Sequence, residues 1–226
     1  MDVLVDSCDE LFGWLGHEAR TRAPAADQDR VVLMDGDEAL WNAALKAGPE
    51  EPGRTDVEIL DLLHASSHVW DAAKLFHPAD SPAAQTFVRT QMGRVLRGEV
   101  QKVIRGLRWR GTHQGLGARQ LNELEGVCGY FQANAHRMAY DKYLAKGYPI
   151  ATGVIEGACR HVVKDRMERS GMRWVLDGAS AMLGLRCVHI SGLWNEFIEF
   201  HIARECQRLY PHGAANDDAW VVPIAA

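Results

Sequence analysis

Residues Val31 to Trp41 read VVLMDGDEALW: four apolar residues, then Asp35-Gly36-Asp37, then a run of helix formers. A short apolar run bounded by charge and glycine is how a buried strand reads. The aspartate at its end allows two readings. Asp-Gly is a common turn pair, and a carboxylate at the carboxyl end of a strand also stands where α/β folds bind ligands. A helix is expected over Glu38 to Lys46, and Val57-Glu58-Ile59-Leu60 reads as a second strand.

Before this stretch, Ser7 to Arg22 reads as a helix, with Leu11, Trp14, Leu15 and Ala19 at helical spacing. Ahead of it stands only the short apolar run Val3-Leu4-Val5. After it, residues 48–56 (GPEEPGRTD) are a loop by composition. A helix from Leu62 to Phe76 is expected to turn Leu63, Val69, Ala73 and Phe76 inward. Residues 83–146 are helical by periodicity and contain no proline, with glycines at 93, 98, 106, 111, 115 and 117 dividing them. Gly147-Tyr148-Pro149 is a turn, Ile155 to Arg169 a strong helix, Gly178 to Arg208 one or two more, and a loose tail begins at Pro211. Two strands are too few for a barrel and suit the later strands of a larger sheet.

The 226 residues allow one substantial core, or a core with an inserted module. No apolar run reaches the roughly 18–20 residues of a membrane span, and no signal peptide is visible, so no membrane partner is expected. Five scattered cysteines without Cys-x-x-Cys argue against a disulfide framework and fit a reducing cytoplasm. The net charge of −5 argues mildly against nucleic acid, but its distribution does not. Arg89, Arg94, Arg97, Lys102, Arg105, Arg108, Arg110 and Arg119 face a single acid, Glu99, and a second basic stretch holds Arg160, Lys164, Arg166, Arg169 and Arg173. Local patches decide phosphate contacts.

Three further groups can carry chemistry. Asp61 follows the second strand, with His64 and His68 one helical turn apart; such a pair chelates a metal or forms a plain polar stripe. Glu156 has Arg160 and Lys164 at i+4 and i+8 on one helical face, either a solvated ion-pair stripe or a metal-ligating acid beside phosphate-binding cations. Enzymes that cut DNA with two metals need about three carboxylates around ions roughly 3.5–4 Å apart, drawn from distant sequence positions.

Three stretches carry a resemblance. VVLMDGDEALW (31–41) resembles the second-acid strand of the ISKra group of insertion-sequence transposases. ILDLLHASSHVWDAAKLF (59–76) resembles the segment that follows it. YPIATGVIEGACRHVVKDRMERSGMRW (148–174) resembles the third-acid region, with its Gly-x-x-Glu-x-x-Cys pattern and closing Ser-Gly-Met-Arg-Trp. The resemblance spans roughly residues 5–210. It implies an α/β fold, helix-rich overall: a partial RNase H-like core (1–79 and 148–210) interrupted by an all-helical insertion (80–147), with a tail at 211–226. It implies catalytic acids Asp35 and Glu156 holding Mg²⁺ or Mn²⁺, with Asp61 and His64 in supporting roles. The basic stretches are where DNA contacts are expected, at Arg105, Arg108, Arg110, Arg160, Lys164, Arg166 and Arg173. Trp109 either touches a flipped base or packs in the core. The implied activity is DDE-type cleavage and strand transfer at transposon ends, in the cytoplasm, by a homo-oligomer in the full-length enzyme. The chain departs from the group by lacking room for the first three strands and the first acid, so inactivity alone is expected. A non-catalytic DNA-binding remnant is the alternative. The run ending in Asp35-Gly36-Asp37 also resembles the start of haloacid-dehalogenase-type phosphatases. Ala39-Leu40 stand where that family wants Thr or Ser, and Asp217-Asp218 lies in the tail.

Overall fold

The computed structural model describes residues 8–22, 29–47, 56–169 and 171–211. The Val3-Leu4-Val5 run, most of the 48–56 loop and nearly all of the tail lie outside the described residues. The chain divides into two compact units, Met1–Val154 and Ile155–Ala226.

In the first unit, helix α1 (Cys8–Arg22) precedes β1 (Val31–Met34), α2 (Glu38–Lys46), β2 (Val57–Leu60) and α3 (Leu62–Phe76). The helical block follows as α4 (Pro82–Leu96), α5 (Val100–His113), α6 (Ala118–Ala133), a 3₁₀ turn at Ala135–Arg137 and α7 (Tyr140–Ala145). The protein is helix-rich, and its described strands form one parallel pair. Val31 pairs with Val57 and Met34 with Leu60. A parallel pair needs a crossover, which α2 supplies. Both strands therefore end on the same side, which puts Asp35 and Asp61 at one edge.

Local chemistry starts α2, α3 and α4. Asp37 accepts from the Ala39 amide at 2.8 Å, Asp61 from Leu63 at 3.2 Å and Ser81 from Ala84 at 3.1 Å, satisfying amides that a helix start leaves unpaired. Pro82 sits in the first turn of α4, where its missing N–H costs nothing. The expected apolar face of α3 needs one correction. Ala65, Val69, Ala72 and Ala73 are buried, but Leu63 is largely exposed, because the face inward of the sheet begins at Ala65.

The glycines behave differently from expectation. Gly98, Gly115 and Gly147 do end helices, with φ of 71°, 68° and 73°. Gly93, Gly106 and Gly111 lie inside helices instead. Gly111 is where α5 meets α6: an added Cβ would stand 2.5 Å from Leu124 Cδ2. Its role is close packing, which outweighs the helix penalty of about 1 kcal/mol.

One core unites this unit. Ile59, Leu60 and Val69 pack with Val95, Val103, Ile104, Leu124, Phe131 and Tyr140 from the helical block. The block is thus built onto the strands rather than folded beside them. Two tyrosines of α7 close the outer edge of β2: Tyr140 Oη donates to the Leu60 carbonyl at 2.8 Å, and Tyr143 Oη to that of Glu58 at 3.1 Å. Edge carbonyls that no strand among the described residues pairs are thereby satisfied.

Helix α8 (Gly153–Ala158) leads into the second unit. There the expected continuous helix to Arg169 is interrupted by a π-helical turn, Cys159–Lys164, before α9 (Asp165–Met167). Helices α10 (Leu176–Ile190) and α11 (Trp194–Leu209) follow, and Arg186 of α10 donates twice to the His161 carbonyl, at 3.0 and 2.5 Å. No helix among the described residues is long and apolar enough to cross a membrane.

Candidate functional site

The carboxyl ends of β1 and β2 gather most of the polar chemistry of the first unit. Asp35 is half-buried there. Its Oδ1 accepts from the Asp37 amide at 3.0 Å and its carbonyl from Trp41 Nε1 at 2.7 Å. The turn reading and the site reading of Asp35 are therefore compatible. The turn uses one carboxylate oxygen, and the other has no partner among the described residues.

Asp61 is a different kind of acid. It is 5 % exposed, and both its oxygens are engaged. Oδ1 accepts from the amides of Leu63 (3.2 Å) and Thr152 (3.0 Å), and Oδ2 from the Thr152 hydroxyl at 2.9 Å. The Leu62 amide adds a bond to the Ile150 carbonyl at 2.9 Å. Asp61 thus caps α3 and ties residues 150–152 to the end of β2, across 91 positions of sequence. Nothing local in the sequence marks Thr152 as its partner.

The imidazoles of His64 and His68 lie one turn apart on α3, with centroids 5.6 Å apart. His64 is exposed. His68 stacks on Tyr130 of α6 at 3.8 Å and an interplanar angle of 26°. Burial, and next the neighbouring His64, hold His68 below the usual imidazole range, with Asp71 opposing. Tyr130 leans against Gly36 so closely that a Cβ there would lie 2.3 Å from Tyr130 Cε2. Its hydroxyl oxygen is closed to solvent and has no hydrogen-bond partner. Burial first, and then the Asp35 carboxylate, push the phenol up to about 12, with the Gly36 backbone opposing. The phenol therefore stays protonated at neutral pH. Sequence reasoning missed Tyr130 because only the packing of α6 brings it to the strand ends.

The expected DNA-contacting residues fall into distinct settings. In the first unit, Arg105 is exposed and its Nε bonds only the Gln101 carbonyl, at 3.3 Å. Arg108 is exposed and ion-paired with Glu125. Arg110 turns inward over Phe76 and Phe87, 4.9 and 5.0 Å from their centroids, and contacts His77 at 3.1 Å. Its role there is to hold α5 against α3 and α4. Trp109 is 63 % exposed, which overturns its core reading: the inward positions of α5 are Val103, Ile104, Leu107 and Gly111.

In the second unit, Glu156 is exposed and has no partner among the described residues. It lines an open concavity of about 710 Å³ with Arg160, Lys164, Asp165, Glu168 and Arg169. The acid and the two cations share one hollow, as helical spacing predicts, although the π-turn replaces the expected α-helix. π-turns of this kind recur at functional sites. Arg166 and Arg173 are exposed outside this hollow.

Among the described residues no three metal-ligating side chains cluster. Asp35 and Glu156 each keep carboxylate oxygens without a partner among the described residues, whereas both oxygens of Asp61 already accept hydrogen bonds. No protein-family model, curated protein or solved structure matches the chain.

Proposed function

We propose that this chain carries the second and third acids of a DDE-type DNA transposase with an RNase H-like core, Asp35 and Glu156, and acts in DNA cleavage and strand transfer at insertion-sequence ends. The observation that supports this best is the Asp61–Thr152 tie. After the helical block the chain returns to the strand ends where Asp35 stands, and Glu156 follows four residues later. The resemblance of residues 31–41, 59–76 and 148–174 to the ISKra group points the same way.

Asp35 and Glu156 would hold Mg²⁺ or Mn²⁺, each through oxygens the fold leaves free. A divalent cation supplies activation of the attacking oxygen and neutralises charge on the phosphate in this class of reaction. Asp61 orders the segment leading to Glu156. Arg160 and Lys164, in the hollow with Glu156, would meet DNA phosphates. Two carboxylates under-coordinate a metal pair, so the reaction needs a third acid.

The test uses the terminal repeats flanking the coding sequence, Mn²⁺ and the purified chain, with and without the polypeptide encoded immediately upstream. Nicking or strand transfer that disappears in both Asp35→Asn and Glu156→Gln supports the proposal. Absence of any DNA processing in every combination, or activity indifferent to both substitutions, refutes it.

A further inference from the structure

The exposed face of α5 bears a feature that the acids do not explain. Trp109 stands out from the helix and stacks on His113, with ring centroids 4.3 Å apart and an interplanar angle of 22°. Arg105 and Lys102 lie one and two turns before it on the same stripe, Lys102 in an exposed ion pair with Glu99 at 2.7 Å that a phosphate would have to displace. From Lys102 to His113 the helix rises about 16 Å. That is the length of two or three stretched nucleotides, and an ordered aromatic with cations in line is how single strands are held.

Beside Trp109 a cavity of about 230 Å³ opens between α4 and α5. Its walls include Gln91 and Arg94 of α4, Gly106 and Trp109 of α5, and Arg110 at one end. The side chain missing at Gly106 keeps it open, since the nearest atom to an added Cβ there is Arg94 Nη1 at 3.9 Å. A flat, rigid wall, an amide and a guanidinium around a cavity of this size suit one nucleobase. Arg94 Nη1 donates to Gln91 Oε1 at 3.4 Å, which leaves the Gln91 NH₂ and the remaining guanidinium N–H groups to meet its polar edge.

We propose that the groove between α4 and α5 is a single-strand site: an unpaired base enters it and stacks on Trp109, while Lys102 and Arg105 take the adjoining phosphates. Its biological role rests on the DNA-processing reading; the binding site itself does not. A strand with unpaired bases binds in preference to a fully paired duplex, because a paired base cannot leave its stack without cost.

The experiment measures fluorescence polarisation of a labelled 12-nucleotide oligo-dT and of a blunt 20-base-pair duplex on the full chain. Trp109→Ala should weaken oligo-dT binding by about 10- to 100-fold and the duplex by less than about 2-fold, given the usual worth of a base–aromatic stack. Trp109→Phe should restore most of the loss. Gly106→Val should mimic Trp109→Ala by filling the groove, with the circular-dichroism spectrum unchanged. Arg105→Glu should weaken both ligands and reduce the salt dependence for oligo-dT by about 0.7 per lost phosphate contact. Equal loss of both ligands in Trp109→Ala, or none, overturns the proposal. If these results hold while Asp35→Asn and Glu156→Gln change no DNA processing, the single-strand site stands and the transposase reading falls. If the processing test succeeds and Trp109→Ala binds as before, the reverse follows.

Discussion

Replacing Asp61 by alanine should destabilise the first unit by about 3–4 kcal/mol. The cap on α3 accounts for about 1 of these. The two bonds from Thr152, at 3.0 and 2.9 Å, account for the rest: bonds to a charged acceptor are worth about 1.5–3 kcal/mol each, reduced because Thr152 is only half-buried and water re-enters. Asp61→Asn keeps one acceptor oxygen for both amides, and its NH₂ can donate to the Thr152 hydroxyl, so about 1 kcal/mol is expected. Thr152→Val removes only the hydroxyl. In a double-mutant cycle Asp61 and Thr152 should couple by roughly 1–2 kcal/mol. The assay is urea unfolding followed by hydrogen exchange of α3 amides, which reports on this unit alone. A parallel thermal scan should show a fall of roughly 6–14 °C for Asp61→Ala. A loss below about 1 kcal/mol, or a gain, would refute the reasoning. A gain is what an acid kept for binding a cation would give, since removing unneutralised charge relieves the free protein.

Tyr140→Phe should cost about 1–3 kcal/mol, because it strands the buried Leu60 carbonyl at the edge of β2; denaturant midpoints near those of the parent would show that edge to be satisfied otherwise. Thiol labelling at pH 8 should reach Cys8, Cys159, Cys187 and Cys206, which are exposed, but not Cys128, whose thiol burial pushes up to about 11. Fast native-state labelling of Cys128 would contradict the packing of α5 on α6. Because His68 titrates below its ordinary 6.5, the native state favours the neutral ring. Its contribution is fully present above about pH 6.5 and is lost as pH falls towards the lowered value, so stability should drop with acid. His68→Gln should flatten that part of the profile, and an unchanged slope would assign it to other groups. Tyr130→Phe keeps the stack on His68 and removes the orphaned hydroxyl, so stability should hold or rise by about 1 kcal/mol; a clear loss would mean that the hydroxyl has a partner.

How much of this was legible before the fold is plain from particular residues. Val31–Met34 and the helices Glu38–Lys46 and Leu62–Phe76 follow from local rules: an apolar run between polar stops, and apolar residues recurring at helical spacing. Such rules act within about one helical turn, so a sequence displays them directly. The placement of Asp35 at a strand end belongs to the same class. Whether a residue faces in or out, and what it meets there, depends on neighbours far along the chain. Trp109 looks like core by composition and is exposed, because α5 packs through Val103, Ile104, Leu107 and Gly111. Gly106 and Gly111 look like helix breaks, but Gly111 is where α6 approaches α5 closely and Gly106 lines an open cavity. The partner of Asp61 lies 91 positions away, and Tyr130 reaches Gly36 only after α6 has docked on α3. Hydrogen bonds and packing of this kind carry no period and no spacing, so only the tertiary structure could decide them.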